Sequence, residues 1–330
     1  MTTTDSATRK QDVECLADCT DAALVCDQAV QCSLLCDVSC TSNRWSIQKF
    51  AAKPAAIKFY TGFNNYAHFK FFLDVLGPAS HHLNYYCSLL SVEDHLFMTL
   101  MKLRQAKDDA ELAILFIVST RTVRRVVQTW VNFMWYQLKE LQMWPTQTVV
   151  REHMPERFGK QFGSTRVILD ATEFSIDKPS HVALQSSTFS TYKNKNTVKT
   201  LIGCTPHGAV SFVSDTYSGS TTDRQIIERS VLCSNPSMFS DGDSIMADRG
   251  IMVQDLFASK NVLVNTPHML KGKSQLEPGD VIYDRKVASK RIHIERVIGL
   301  AKTFKILQRK MSIKKSPRCG QINLCLFRNY

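Results

Sequence analysis

Between residues 90 and 141 the apolar residues recur every three or four positions, which is the pattern of amphipathic helices. The pattern predicts three helices: one capped by Ser91, a short one over residues 108–116, and a long one capped by Ser119 or Thr120. A short second helix, a tight turn and a basic third helix are typical of a helix-turn-helix. The turn, FIVST, contains no glycine, and any three-helix bundle shares this pattern, so a structural or dimerising bundle is an equal alternative.

Arg121, Arg124 and Arg125 fall in the first turns of the third predicted helix. These turns touch DNA in a helix-turn-helix, so the three arginines are candidate DNA contacts. In the alternative structural bundle they have no such role.

Beyond a connector bracketed by prolines, the pattern changes to short runs rich in β-branched residues, which predict strands. The predicted strands are residues 166–174, 197–206, 209–217, 244–247 and 261–267, with the second and third forming a hairpin. Helices are predicted over 223–232, after a Ser220 or Thr221 cap, over 255–260, and from about Ser289 to Arg309. The sequence therefore predicts three parts: an N-terminal segment of residues 1–45, a helical domain at 46–145 and an α/β domain at 146–330.

Two of the predicted strands end in a carboxylate. Asp170 follows the run Val167–Leu169, and Asp248 follows the run Ser244–Ala247. A carboxylate at the end of a buried strand is costly unless it is paired or binds a metal. α/β sheets usually place their functional sites at the carboxyl ends of strands. Two aspartates at such positions suggest one shared site and prompt a search for a third carboxylate.

The third candidate is Glu295, on the long predicted helix near the C-terminus. On a helix, Glu295 shares one face with Arg291, Gly299 and Lys302, while apolar residues occupy the opposite side. Three hard oxygen donors suit Mg²⁺ or Mn²⁺ rather than zinc. Two such ions, roughly 3.5–4 Å apart, can activate a water or a 3′-hydroxyl and stabilise the leaving oxygen at a phosphate.

Glu173 is a rival to Asp170 as a ligand. If the strand continues, residues 170 and 173 face opposite sides, so Glu173 is interpreted as a rim residue or a structural partner. The remaining nearby aspartates are interpreted as turn and cap residues: Asp177, Asp215, Asp223, Asp241 and Asp243.

The formal net charge of +11 is unevenly distributed, because residues 1–40 are acidic and residues 285–318 are strongly basic. This asymmetry indicates a polyanionic partner, with nucleic acid ahead of membrane, although charge alone fits a solvated basic face equally well. Lys193, Lys195 and Lys199 are candidates to follow a DNA backbone, although a solvated basic loop fits them nearly as well. Arg291 and Lys302 add to the candidate DNA contacts.

Six cysteines lie within residues 12–40, without a histidine among them. A zinc module needs close cysteine pairs and usually histidine, so a short helix or a poorly ordered tail is the favoured interpretation. The eleven cysteines of a chain without a secretory signal are expected to be reduced thiols. No run of eighteen uncharged apolar residues is present, so no transmembrane helix is expected.

Between about residues 55 and 310 the motifs together resemble Harbinger-type (PIF-like) transposases of the DDE endonuclease superfamily. The resembling segments include FYTGF, TVRRVVQTW, LDATEF, STYKNKNTVKTLIG, MADRGI and RIHIERVIGLAKTFKIL, in family order. The resemblance implies an RNase H-like catalytic domain, with a mixed sheet flanked by helices, behind an all-α helix-turn-helix-like domain. It also implies that Asp170, Asp248 and Glu295 are the DDE triad, which binds two Mg²⁺ or Mn²⁺ ions to cut DNA and join the free 3′-hydroxyl to a target.

The resemblance further implies a nuclear location and a separate DNA-binding partner protein, while the sequence leaves homodimer formation open. One alternative is a domesticated DNA-binding or partner-recruiting protein that kept the fold but not mobility. Another is an RNase H-like nuclease that acts on RNA or on hybrids.

Overall fold

The computed structural model describes residues 43–270, 272, 274–311 and 319–327. The cysteine-containing segment 12–40 lies outside these residues, so the interpretation of its cysteines stays a prediction. Within the described part, Cys87, Cys204, Cys233 and Cys325 are not in disulfides. None of the described helices is long and apolar enough to cross a membrane.

The chain up to residue 162 is helical, and it contains the three helices that the apolar pattern predicts. Its helices are α1 (Pro54–Thr61), α2 (Tyr66–Val75), α3 (Val92–Gln105), α4 (Asp109–Phe116), α5 (Thr120–Glu140), α6 (Gln147–Glu152) and α7 (Glu156–Phe162). Ser91 caps α3 and Ser119 caps α5, each by accepting a backbone hydrogen bond from the third residue of its helix.

The turn between α4 and α5 is made without glycine. Ile117 adopts the left-handed conformation, with φ of 52°, and the Val118 N–H donates to the Ala113 carbonyl at 3.0 Å. Left-handed backbone costs an ordinary L-residue about 1–2 kcal/mol. The missing glycine therefore does not prevent the turn, but the turn is formed with strain at Ile117.

A mixed sheet follows the helical region. Its strands are β1 (Thr165–Ser175), β2 (Phe189–Ser190), β3 (Lys195–Cys204), β4 (Val210–Val213), β5 (Tyr217–Ser218), β6 (Ser244–Met246) and β7 (Leu263–Asn265). The main path is β2-β3-β1-β6-β7, with β4 and β5 also paired to β3. The pairs β1–β6 and β6–β7 are parallel, and β3 is antiparallel to each of its neighbours. All five predicted strands are present, whereas the two-residue strands β2 and β5 were not predicted.

Helices flank both faces of the sheet. They are α8 (Val182–Thr188), α9 (Asp223–Glu228), α10 (Val231–Ser234), α11 (Gln254–Phe257), α12 (Pro278–Lys302), α13 (Lys305–Gln308) and α14 (Cys319–Phe327). The predicted helix over 223–232 is two helices, the predicted helix from about Ser289 to Arg309 ends at Lys302, and two further predictions were wrong. Thr222, not Ser220 or Thr221, caps α9 through a capping box with Gln225, and α12 starts at Pro278 rather than near Ser289. Proline is favoured at a first helical position because its fixed φ already suits the helix.

The alternation of β1 divides the core into two layers. Ile168 and Phe174 belong to the buried cluster that includes α12, while Val167 and Leu169 belong to the cluster that includes α9. The α12 cluster also contains buried residues of α3 and α5, so the helical region and the sheet share one continuous core. A mixed sheet with helices on both faces, behind a helical region, is the RNase H-like fold class that the resemblance implied.

Candidate active site

Asp170 and Asp248 both lie just beyond the end of the parallel β1–β6 pairing. That pairing ends at Ile168 opposite Met246, so each aspartate is two residues further along its own chain segment. The prediction that Asp170 ends its strand was wrong, because β1 continues to Ser175 in its pairing with β3. The two aspartates instead share the end of the parallel β1–β6 pairing, beyond which β1 and β6 no longer pair with each other.

One side chain of α12 joins the two carboxylates. Arg291 donates from Nη1 to Oδ1 of Asp248 at 2.7 Å, and its Nη2 lies 3.8 Å from Oδ1 of Asp170. The Arg291 side chain is buried, and its Nε has no hydrogen-bond partner in the described structure. Arg291 was predicted as a DNA contact, but in this conformation its guanidinium is directed at two carboxylates rather than at solvent.

Asp170 is a perturbed carboxyl group. Burial, which removes water from the charged form, raises the pKa of Asp170 to about 6. The Arg291 charge and a backbone hydrogen bond from Ala171 N–H, at 2.9 Å, oppose this rise, while the negative charge of Asp248 adds to it. A cation beside Asp170 therefore stabilises the ionised form that burial disfavours.

Glu295 is exposed and lies one turn after Arg291 on α12. Two turns further on, Lys302 also acts on this region. Desolvation and the neighbouring Lys193 lower the pKa of Lys302, and the charges of Asp170 and Glu173 partly restore it. Glu295 thus lies between two residues of one helical face that both interact with Asp170.

The donor set suits a divalent cation in its chemistry. Asp170, Asp248 and Glu295 are hard oxygen donors, Asp170 gains from a nearby positive charge, and Asp248 is 51% exposed and open to solvent. Within the residues that the structure describes, however, no three acidic, histidine or cysteine side chains form a group that could hold a metal. Arg291 supplies the positive charge between the two aspartates, so a metal ion would have to displace it.

Glu173 lies on the opposite face of β1, as the alternation argument predicted. It accepts a hydrogen bond from the Thr197 hydroxyl at 2.9 Å and lies 3.6 Å from the Lys199 ammonium. Lys199 also pairs with Asp223 at 3.1 Å, and only 13% of its side chain is exposed. Glu173 is therefore a structural partner here, and Lys199 is engaged by two carboxylates rather than presented to a DNA backbone.

The other candidate DNA contacts are exposed. Arg121, Arg124 and Arg125 project from the first turns of α5, although Arg124 donates to Asp109 at 2.9 Å and Arg125 stacks over the Tyr85 ring. Lys195 is exposed at the start of β3, and Lys193 lies 4.5 Å from the Tyr192 ring centroid. These side chains remain accessible, so their proposed role in DNA binding is compatible with their positions.

The ion pair between Arg166 and Asp243 was not predicted from the sequence. Asp243, interpreted as a turn or cap residue, does accept from the Ser240 N–H, but it is also buried within 3.8 Å of the Arg166 guanidinium. Arg166 and Asp243 lie near the start of the parallel β1–β6 pairing, and Asp170 and Asp248 lie just beyond its end. Nothing in the local sequence around either residue signals this pair.

The fold and the paired carboxylates define an RNase H-like domain with an acidic site beside a helix that carries a third acid. Two family models match the chain: residues 169–328 match the DDE superfamily endonuclease, and residues 87–140 match the helix-turn-helix of DDE superfamily endonuclease. A search of curated proteins gave no match. The match over residues 87–140 confirms the predicted helix-turn-helix, while its contact with DNA stays a prediction beside the structural or dimerising alternative.

Proposed function

We propose that this protein is a metal-dependent DNA endonuclease of the transposase type, with Asp170, Asp248 and Glu295 as its catalytic carboxylates. One observation carries the proposal. Asp170 and Asp248, far apart in sequence, meet at the open end of two parallel strands and share a single cation, Arg291 of the helix that bears Glu295. The matches to both domains of the DDE superfamily support DNA as the substrate.

Bound Mg²⁺ or Mn²⁺ ions would supply an activated water or 3′-hydroxyl and would stabilise the leaving oxygen. Asp170 and Asp248 hold the ions in this proposal, with Glu295 completing the set from α12. The positive charge of Arg291 reduces the repulsion between Asp170 and Asp248, and it would have to move from Asp248 for that residue to hold a metal ion. Lys302, on the same helical face, is placed to attract the phosphate.

Finer parts of the proposal rest on the motif resemblance alone. They are a Harbinger-type (PIF-like) origin, strand joining as well as cleavage, a nuclear location, and a separate DNA-binding partner protein. The division into residues 1–45, 46–145 and 146–330 is likewise proposed.

The test is a nicking assay on supercoiled DNA with Mg²⁺ or Mn²⁺. Asp248→Ala is expected to reduce nicking on the order of 10³-fold or more, because it removes a metal ligand, without altering the unfolding transition. Asp177→Ala, which removes an exposed aspartate just beyond β1, is the matched control and should nick normally. Unchanged nicking by Asp248→Ala would contradict the assignment of the catalytic carboxylates. Cleavage confined to RNA or hybrids would show that these, and not duplex DNA, are the substrate.

A second candidate is a domesticated DNA-binding protein without turnover. The observation that favours it is the Arg291 contact, which already places one positive charge between two of the three carboxylates. Tight, metal-independent DNA binding combined with no nicking by the wild-type protein would select this function.

A further inference from the structure

A groove lined by positive charge lies where α7 meets the N-terminal half of α12. Its volume is about 490 Å³, and five cationic residues contribute to its walls: Arg157, Lys160, Arg285, Lys286 and Lys290. No aspartate or glutamate is among the lining residues. We refer to these five residues as the basic groove; none of them is among the DNA contacts expected from the sequence.

The basic groove is separate from the candidate active site. Lys286 precedes Glu295 by nine residues on α12. At 3.6 residues per turn, this spacing places the two side chains on opposite sides of the helix and about 14 Å apart along its axis. A ligand in the groove therefore contacts a different face of α12 from one at Asp170 and Asp248.

The charges of the groove are mostly uncompensated. Arg157, Arg285 and Lys286 form no ion pair with any residue that the structure describes, and Lys160 pairs only with Glu156, at 2.6 Å on the exposed surface. Exposed pairs of this kind contribute little, about 0–1 kcal/mol. Like charges gathered in a concave surface repel one another, so an anionic ligand is stabilising there.

The groove is also shaped by defined contacts. The Lys290 ammonium donates to the Arg157 carbonyl at 2.7 Å and lies 5.7 Å from the centroid of the Phe158 ring, which ties α12 to α7. Positive charge continues along α12. Burial is the largest cause of the lowered pKa of His293, and the charges of Arg296 and Lys290 lower it further. A row of cations along a fixed groove suits a polymer of phosphates better than a single small anion.

We propose that the basic groove binds the phosphodiester backbone of a segment of duplex DNA other than the segment at the catalytic carboxylates. This inference rests on the proposed function for its choice of DNA as the polyanion. Arginine and lysine neutralise backbone phosphates and release condensed counterions, which gives affinity without sequence preference. The groove holds flanking or second-duplex DNA, while the exposed arginines of α5 contact DNA elsewhere.

The test compares two triple variants with equal loss of charge in full-length protein. The groove variant is Lys160→Ala/Arg285→Ala/Lys286→Ala, and the control is Lys53→Ala/Lys58→Ala/Lys178→Ala, which removes three exposed lysines outside the groove. Binding of a 30-base-pair duplex, a length chosen at about three helical turns, is measured by fluorescence anisotropy in EDTA over a range of salt concentrations. Circular dichroism checks that both variants are folded, as expected for exposed side chains.

The groove variant is expected to flatten the dependence of log K on log salt by roughly 2–3, at about 0.9 per lost phosphate contact. The control should change this slope by less than about 1. Equal changes in the two variants would overturn the proposal, as would a loss seen with duplex RNA but not with duplex DNA. Because the assay contains no metal, its outcome is independent of nicking: a failed nuclease can still show the groove effect, and an active nuclease can lack it.

Discussion

The parallel pairing of β1 and β6 has an arginine–aspartate contact near each of its two ends. Near the amino end, Arg166 lies beside Asp243; just beyond the carboxyl end, Arg291 lies beside Asp170 and Asp248. The chemical groups are the same and the supporting strands are the same. The differences are in burial and in how many donors each carboxylate has.

The amino-end contact is closed. Arg166 is 6% exposed and Asp243 is 1% exposed. Both oxygens of Asp243 accept hydrogen bonds, one from the Gln147 side chain at 2.7 Å and one from the Ser240 N–H at 2.8 Å. The Trp144 ring covers the guanidinium, whose pKa is lowered by desolvation and raised by Asp243. Because each Asp243 oxygen has a hydrogen-bond donor and the contact is shielded from water, the Arg166–Asp243 contact has a structural role.

The carboxyl-end contact is open. Asp248 is 51% exposed and Asp170 is 23% exposed. In the described structure, the Asp248 side chain accepts a hydrogen bond only from Arg291, and the Asp170 side chain accepts one only from the Ala171 N–H. Oxygens without donors beside solvent are free to bind another cation. The comparison teaches that donor number and access, more than the ion pair itself, separate a structural pair from a candidate metal site.

The largest expected effect on stability comes from disrupting the buried Arg166–Asp243 contact. Asp243→Ala should lower the free energy of unfolding by about 3–5 kcal/mol, because it leaves Arg166 charged and buried without a partner. Asp248→Ala should change it by about 1 kcal/mol or less, since that side chain is half exposed. Urea unfolding of both variants in EDTA measures the contrast, and equal losses would remove the distinction between the two ends.

The next effect concerns Asp170 in the metal-free protein. Its folded pKa of about 6 lies above the ordinary value of 3.8, so the folded state holds its proton more tightly than the unfolded state. The resulting stability is complete below pH 3.8 and is lost as the pH rises through 6. At pH 8, Asp170→Asn should therefore raise the free energy of unfolding by about 2–3 kcal/mol, at 1.36 kcal/mol per pKa unit.

A measurement of the same Asp170→Asn variant at a lower pH serves as the control. At pH 4 the gain from Asp170→Asn should nearly disappear, because the native carboxyl is already protonated in the folded state. Unfolding curves in EDTA at the two pH values test this. A variant that is less stable than the wild type at pH 8 would show that Arg291 outweighs desolvation at the open end.

Local sequence was enough to predict the five main strands and the three helices of the helix-turn-helix, whereas Asp170 was wrongly placed at the end of its strand. Apolar runs and their terminal carboxylates are local signals, and strand alternation correctly separated Asp170 from Glu173. The start of α12 was missed because Pro278-Gly279 suggests a turn, although proline is also a favoured first residue of a helix.

Contacts between distant segments could not be predicted. Arg291 was placed correctly on the face of Glu295, yet its binding to Asp248 depends on how α12 packs on the sheet. The Arg166–Asp243 pair and the basic groove have the same origin, since each joins segments that are distant in sequence. A single sequence contains no signal for such pairings.

The most direct measurement of the central claim is a calorimetric titration of Mn²⁺ into the wild type, Asp248→Ala and Arg291→Met. The claim is that Asp170 and Asp248 form a metal site in which Arg291 now supplies the positive charge. We expect wild-type binding to be lost in Asp248→Ala and to become about tenfold tighter in Arg291→Met, equivalent to about 1.4 kcal/mol. Equal Mn²⁺ binding by the wild type and Asp248→Ala, or weaker binding by Arg291→Met, would contradict it.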